Sequence, residues 1–292
     1  MAGALAVLAG VWQVTFLQQI WLPLAAPTLG LTIATALSSA YLLVCEQAER
    51  KLLTNLFACY TPPEVVHTLW RERRRLIAGR RLLSQRLTAT VLFSDIRGFT
   101  TIAETLEPAR LMDWLNVYME AMAQVVMAHG GMVKQYVGDE VMALFGVPVP
   151  RQTEAEIAQD AVQAVKCALA MGERLRQLNA GWVEQQSPTI AVRVGIYTGS
   201  LVAGSLGGSQ RLEYAVVGDT VNTASRLESF DKDSHDPSNN ICRVLIGEAT
   251  YCYLGGQFRV EEVGRVKLKG KQREIAVYRV LGPADGERTP SV

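Results

Sequence analysis

The stretch Thr88–Thr100, TATVLFSDIRGFT, limits the fold more than any other part of this 292-residue chain. Ala89 to Phe93 is a short β-branched and apolar run that predicts a buried strand, and it ends in Ser94-Asp95 followed by a glycine turn at Gly98. Such a strand delivers a carboxylate to its C-terminal edge. The backbone amides of Gly98, Phe99 and Thr100 then open a helix, whose first amides lack partners inside it and so suit phosphate oxygens. The two features together predict a metal ion bound to a polyphosphate.

Downstream, Pro108 opens a helix to about Ala128 in which Leu111, Leu115, Tyr118, Met122 and Val125 recur at helical spacing and form one core-facing stripe. Met132–Val137 and Val141–Phe145 are predicted strands joined by a tight turn at Gly138-Asp139, which puts Asp139 at a hairpin tip. Thr153 and Glu156 make a capping box for a further amphipathic helix through Ile157, Val165 and Leu175. Ile190–Ile196 alternates as a strand, Gly199–Gly208 is glycine-rich, and Leu212–Val217 is another strand. Gly218-Asp219-Thr220 starts a helix on which Asn222 and Arg226, four residues apart, share one face. Phe230–Asn240 is a polar loop, and strands near Arg243–Ile246, Phe258–Lys269 and Glu274–Val280 close the domain. This order predicts an α+β domain of ferredoxin-like, split β-α-β type over residues 87–282, with the helices on one face of the sheet, and a disordered tail at 283–292.

The N-terminal end differs in kind. No charged side chain occurs from Met1 to Cys45, enough chain for one or two passes of roughly 20 residues through a bilayer, about Ala2–Leu17 and Trp21–Val44. Residues 46–86 form a charged segment expected to be a helical linker, with Thr61 and Glu64 capping a second helix after Pro62-Pro63. Nine Lys or Arg residues fall between Arg50 and Arg86, which by the positive-inside rule places everything after Glu46 in the cytoplasm. The arginine cluster at Arg71–Arg81 has no interleaved aromatics, and 29 basic against 28 acidic residues leave no global charge for nucleic acid. Five cysteines without a C-x-x-C pair and three scattered histidines exclude a disulfide framework, a zinc site and Ser/His/Asp chemistry as readings.

The blocks FSDIRGFT, KQYVGDEVMALFG, VRVGIYTG, YAVVGDTVNTASRLE and VKLKGK, in that order, resemble the class III nucleotide cyclases, the adenylate and guanylate cyclase family. With the apolar N-terminus the resemblance is to bacterial membrane-bound members, with the catalytic domain on the cytoplasmic side of the inner membrane. It implies that Asp95 and Asp139, with the main-chain carbonyl of Ile96, hold two Mg²⁺ or Mn²⁺ ions, a role that suits hard oxygen donors. Gly98, Phe99 and Thr100 match the triphosphate cradle, Arg193 a basic residue near the phosphates, and Lys269 the lysine at the triphosphate tail. Asn222 matches the residue that orients the ribose and Arg226 the one that stabilises the transition state. The implied reaction converts ATP to 3′,5′-cyclic AMP and pyrophosphate at sites shared across a homodimer, the aspartates from one protomer and Asn222 with Arg226 from the other.

Two positions depart from the pattern. Adenylate cyclases carry Lys four residues before the second metal aspartate, where this chain has Gln135, and Asp or Thr seven residues before the asparagine, where it has Ala215. Lys134 is one place too early and, on a regular strand, faces the opposite side. Gln135 can meet either purine and Ala215 offers no side-chain hydrogen bond. Adenylate cyclase is the expectation, with a guanylate or purine-unselective cyclase as the alternative and a non-catalytic nucleotide-binding, dimerising module as the second.

Overall fold

The computed structural model describes residues 25–57, 77–78, 81–208, 212–231, 241–268 and 273–284, with Gln13 and Leu17 besides. It divides into two compact units, Met1–Thr54 and Asn55–Val292. A long helix, α1 (Ala25–Phe57), begins in the first. Leu29, Ile33, Leu37, Leu42 and Val44 are all exposed on it. Among the described residues no helix is long and apolar enough to cross a membrane. The expected span Trp21–Val44 is thus represented only by the helix from Ala25, and the expected span Ala2–Leu17 lies outside the described residues but for Gln13 and Leu17.

Of the expected helical linker, the described residues up to Phe57 are helical. Thr61 and Glu64 lie outside the described residues, and further on the chain forms a short antiparallel hairpin, β1 (Ile77–Ala78) and β2 (Arg81–Leu82), instead of a helix. Leu82 and Leu87 are buried as the chain runs on into the first long strand, and tertiary burial decides the matter over helix propensity.

That strand is β3 (Gln85–Ile96). Two helices follow, α2 (Phe99–Thr105) and α3 (Pro108–Ala128), then the hairpin β4 (Met132–Val137) and β5 (Glu140–Phe145), and α4 (Glu154–Glu184). The second half is β6 (Val192–Gly207), β7 (Leu212–Val217), α5 (Asp219–Glu228), β8 (Cys242–Gly247), α6 (Glu248–Tyr253), β9 (Phe258–Val266) and β10 (Ile275–Pro283). The eight strands from β3 onward make one mixed sheet in the order β4-β5-β3-β6-β8-β10-β9, with β7 attached to β6. Among the described neighbouring pairs, β6 with β8 is the parallel one. The capping box on α4 is present as expected, with Thr153 Oγ1 accepting from Glu156 N and Glu156 Oε2 accepting from Thr153 N.

The main core lies between one face of the sheet and α3 and α4. Leu92, Ile96, Val194, Ile196, Val244 and Ile246 meet Tyr118 and Met122 of α3 and Val165, Met171 and Leu175 of α4 there, all at or near zero exposure. Each such side chain contributes about 1.5–3 kcal/mol of burial. The expectation that all helices share this face is corrected by α5, which covers the other. Leu227 of α5 packs there with Leu245, Leu268 and Val277.

Glycine makes that second layer possible. The glycine-rich stretch is not a break in β6, because the strand continues through it to Gly207. A methyl group on Gly195 would run into the carbonyl oxygen of Ala224 and the amide of Glu228, and one on Gly199 would lie 2.7 Å from Thr220 Oγ1. The helix backbone rests directly on the strand.

The outer edge of β6 changes neighbour along its length. β8 pairs with Val192–Ile196 and β7 with Val202–Gly207, while β3 follows the opposite edge from Val192 to Ala203. In the interval Thr198 N donates to Thr250 Oγ1 at 2.9 Å, and Ser200 O accepts from Thr220 Oγ1 at 2.7 Å. Threonines of α6 and α5 thus replace the missing strand, as buried backbone groups require.

Candidate active site

β3, an interior strand, ends where the β4–β5 turn comes alongside, and this brings Asp95 and Asp139 together. Asp139 Oδ2 accepts the backbone amide of Ile96 at 3.0 Å. Burial raises the Asp139 carboxyl to about 7, helped by a hydrogen bond to the Asp95 side chain and by its charge, while the Ile96 amide works the other way. Two carboxylates share one small volume.

This donor set fits a divalent cation. Among the described residues no group of three or more His, Cys, Asp and Glu gathers, so two carboxylates would leave the remaining positions to backbone oxygen, water and substrate. That is the usual condition of Mg²⁺, which keeps waters and takes substrate phosphates. Because Asp139 holds its proton up to about pH 7, cation binding displaces it. Mn²⁺ affinity, read by electron paramagnetic resonance, should therefore fall about tenfold per pH unit below that point and level off above it. A flat profile would show that the ion displaces no proton from Asp139.

The turn after β3 is built for close approach of its amides. Gly98 sits at φ 70°, a left-handed conformation that disfavours a side chain, and the first bonds of α2 run from Thr101 and Ile102 back to Gly98 O. Phe99 and Thr100 precede those bonds. Their amides are thus the orphan pair expected at the start of a helix, beside Asp95.

Arg193 reaches the same corner of the fold. It lies opposite Asp95 in the β3–β6 register and is only 6% exposed. Its Nη2 donates to Asp95 Oδ2 at 2.5 Å and its Nε to Glu228 Oε1 at 3.0 Å. The guanidinium is thus engaged by two carboxylates, one of them Asp95 of the expected site. Arg243, its register partner on β8, is also buried and donates to the carbonyls of Glu228, Phe230 and Asp231 at the end of α5. Burial, and then the charge of Arg193, lower it to about 10. Sequence reasoning missed both Glu228 and Arg243. The signal was there, since VRVGI and CRVLI each hold one arginine inside an apolar strand, and a buried guanidinium needs an acid.

On α5 the buried residues are Thr220, Thr223, Ala224, Leu227 and Glu228. Asn222 and Arg226 project from the opposite side of the helix, Asn222 exposed and Arg226 half-buried. The fold brings them to one face, turned away from the sheet. Ala215 is half-buried on β7 opposite Gly204, and Lys269 lies outside the described residues. Gln135 is exposed on β4, where a register shift between Val133 and Gln135 leaves Lys134 as the extra residue of a bulge. Lys134 Nζ donates to Gln135 Oε1 at 3.4 Å. Strict alternation fails at this point, so the expectation that Lys134 faces away from Gln135 is corrected.

Residues 84–282, from just before β3 almost to the end of β10, match the Adenylate and Guanylate cyclase catalytic domain family. The chain belongs to this cyclase family. It is 35% identical over 226 residues to Adenylate cyclase 1 of Rhizobium meliloti, covering 77% of this chain and 32% of that one. The cyclase fold is likewise shared with the crystal structure of the adenylyl cyclase CyaB from P. aeruginosa, at TM-score 0.61 and 34% identity over 71% of this chain and 98% of that one. The guanylyl cyclase Cya2 matches at TM-score 0.59 and 30% identity, over 69% and 95%. The chain spans about a third of the length of the curated relatives it matches first.

Proposed function

We propose that the chain is an adenylate cyclase that closes ATP to 3′,5′-cyclic AMP, the ribose 3′-oxygen bonding to the α-phosphorus as the bond to pyrophosphate breaks. The observation that carries this reading is the contact of Asp95 with Asp139 at the end of β3 beside the amides of Phe99 and Thr100. Mg²⁺ or Mn²⁺ bound there supplies a lowered pKa for the attacking hydroxyl and charge compensation for the leaving group. Asp95, Asp139 and the Ile96 carbonyl are the protein's ligands for two such ions. The amides at Gly98–Thr100 position the triphosphate, with Lys269 at its tail. Asn222 holds the ribose in line for attack, and Arg226 stabilises charge on the transferring phosphorus, so that positioning and electrostatics do most of the catalysis.

Asn222 and Arg226 face away from their own sheet, which supports a homodimer in which each protomer serves the other's carboxylates. Purine choice falls to Gln135, whose amide both donates and accepts, with the Lys134 ammonium beside it and Ala215 silent. Relatives named adenylate cyclase at 33–35% identity support ATP. The uncharged run to Cys45 supports residues 1–45 as a membrane anchor, with the catalytic domain on the cytoplasmic side.

The deciding measurement is turnover of ATP against GTP by the full chain, with Mg²⁺ and with Mn²⁺. ATP should be preferred by on the order of tenfold, the worth of about one hydrogen bond. An equal or faster GTP reaction would make the chain a guanylate or unselective cyclase, which the amide at Gln135 also allows. No product from either would leave only nucleotide binding. Extraction of the same chain from membranes by salt alone would remove the anchor from this reading.

A further inference from the structure

Glu228 stands between two parts of the site that sequence order keeps apart. It is 2% exposed, its carboxylate accepts from Arg193 Nε at 3.0 Å, and Arg193 in turn donates to Asp95 at 2.5 Å. It is also the last residue of α5, and its carbonyl accepts from Arg243 Nη2 at 3.0 Å. One buried acid therefore sets both the surroundings of a metal carboxylate and the seating of the helix that bears Asn222 and Arg226.

We propose that Glu228 is a positioning residue that couples the two sites of the dimer, through Arg193 to the carboxylates of one site and through α5 to the transition-state groups of the other. The inference rests on the two-protomer reading above. A buried guanidinium needs compensating charge, and Arg193 divides its own between Glu228 and Asp95. Without the Glu228 charge its whole field falls on Asp95, which draws Oδ2 toward the guanidinium and makes it a poorer donor to a cation. On the other side, α5 loses the ion pair that fixes its last turn on β6. The face with Asn222 and Arg226 then moves relative to the partner's ions.

Mixed dimers of the full chain separate the two effects. When one protomer has Asp139→Ala and the other Arg226→Ala, the single complete site joins the acids of the second to the helix of the first, and Arg193 keeps Asp95 in both. Glu228→Gln, close in shape, is then placed on either protomer. On the acid-donating protomer it should raise the half-saturating Mn²⁺ concentration about tenfold with kcat kept, and on the helix-donating protomer lower kcat about tenfold with the Mn²⁺ requirement kept. A silent result at either placement overturns the coupling. Mixed dimers without activity, while each variant still binds nucleotide, overturn the two-protomer reading and this inference with it. Independently of turnover, Mn²⁺ binding to the Glu228→Gln homodimer, read by electron paramagnetic resonance, should weaken about tenfold. Unchanged binding also overturns the proposal.

Discussion

Asp95→Ala should lower cyclic nucleotide formation by at least about 10³-fold at saturating Mn²⁺ while leaving the thermal midpoint nearly unchanged. The asymmetry follows from what Asp95 touches. Its partner Arg193 also pairs with Glu228, so removing the Asp95 carboxylate leaves the buried guanidinium compensated and the strand intact. The site fares worse, because Asp139 alone remains to hold a cation, anchored by backbone amides, that of Ile96 among them. Product measured with purified chain at several Mn²⁺ concentrations checks this, since added metal should not rescue a missing ligand. Undiminished activity would end the enzyme reading.

Gly195→Ala is the second large effect, and it acts through the fold. The added methyl would lie 2.8 Å from Glu228 Cα and closer still to Ala224 O and Glu228 N. All three are backbone atoms, so no rotamer change can relieve the overlap. α5 must lift from β6, which exposes Ala224 and Leu227, both now fully buried. Overpacking of this sort costs about 3 kcal/mol or more, which in a domain of this size lowers the melting temperature by about 10 °C. Thermal unfolding of the full chain measures it directly. Activity should fall further than stability at the assay temperature alone explains, because the displaced helix bears Asn222 and Arg226.

Strong local signals were readable in the sequence. The run before Asp95, the Gly138-Asp139 turn, the capping box at Thr153 and the shared face of Asn222 and Arg226 each depend on neighbours within a few residues, and each stands where the pattern put it. What was missed depends on distant partners. Sequence alone does not pair Arg193 with the acid at Glu228, 35 residues on, which reaches it from the helix that covers the strand. The bulge at Lys134 and the course of β6 through its glycines reflect how one strand lies against another, and no periodicity records that. α6, six residues long, is too short to display a helical repeat.

The interval where β6 has neither β7 nor β8 beside it has a mechanical meaning. Asp95 is paired with the part of β6 that β8 supports, whereas Ala215 sits on β7, alongside the far part. The two threonine hydroxyls that bridge the fork thus hold these two parts of β6 in place. Replacing either one would leave a backbone group of β6 without its partner and loosen the strand at that point.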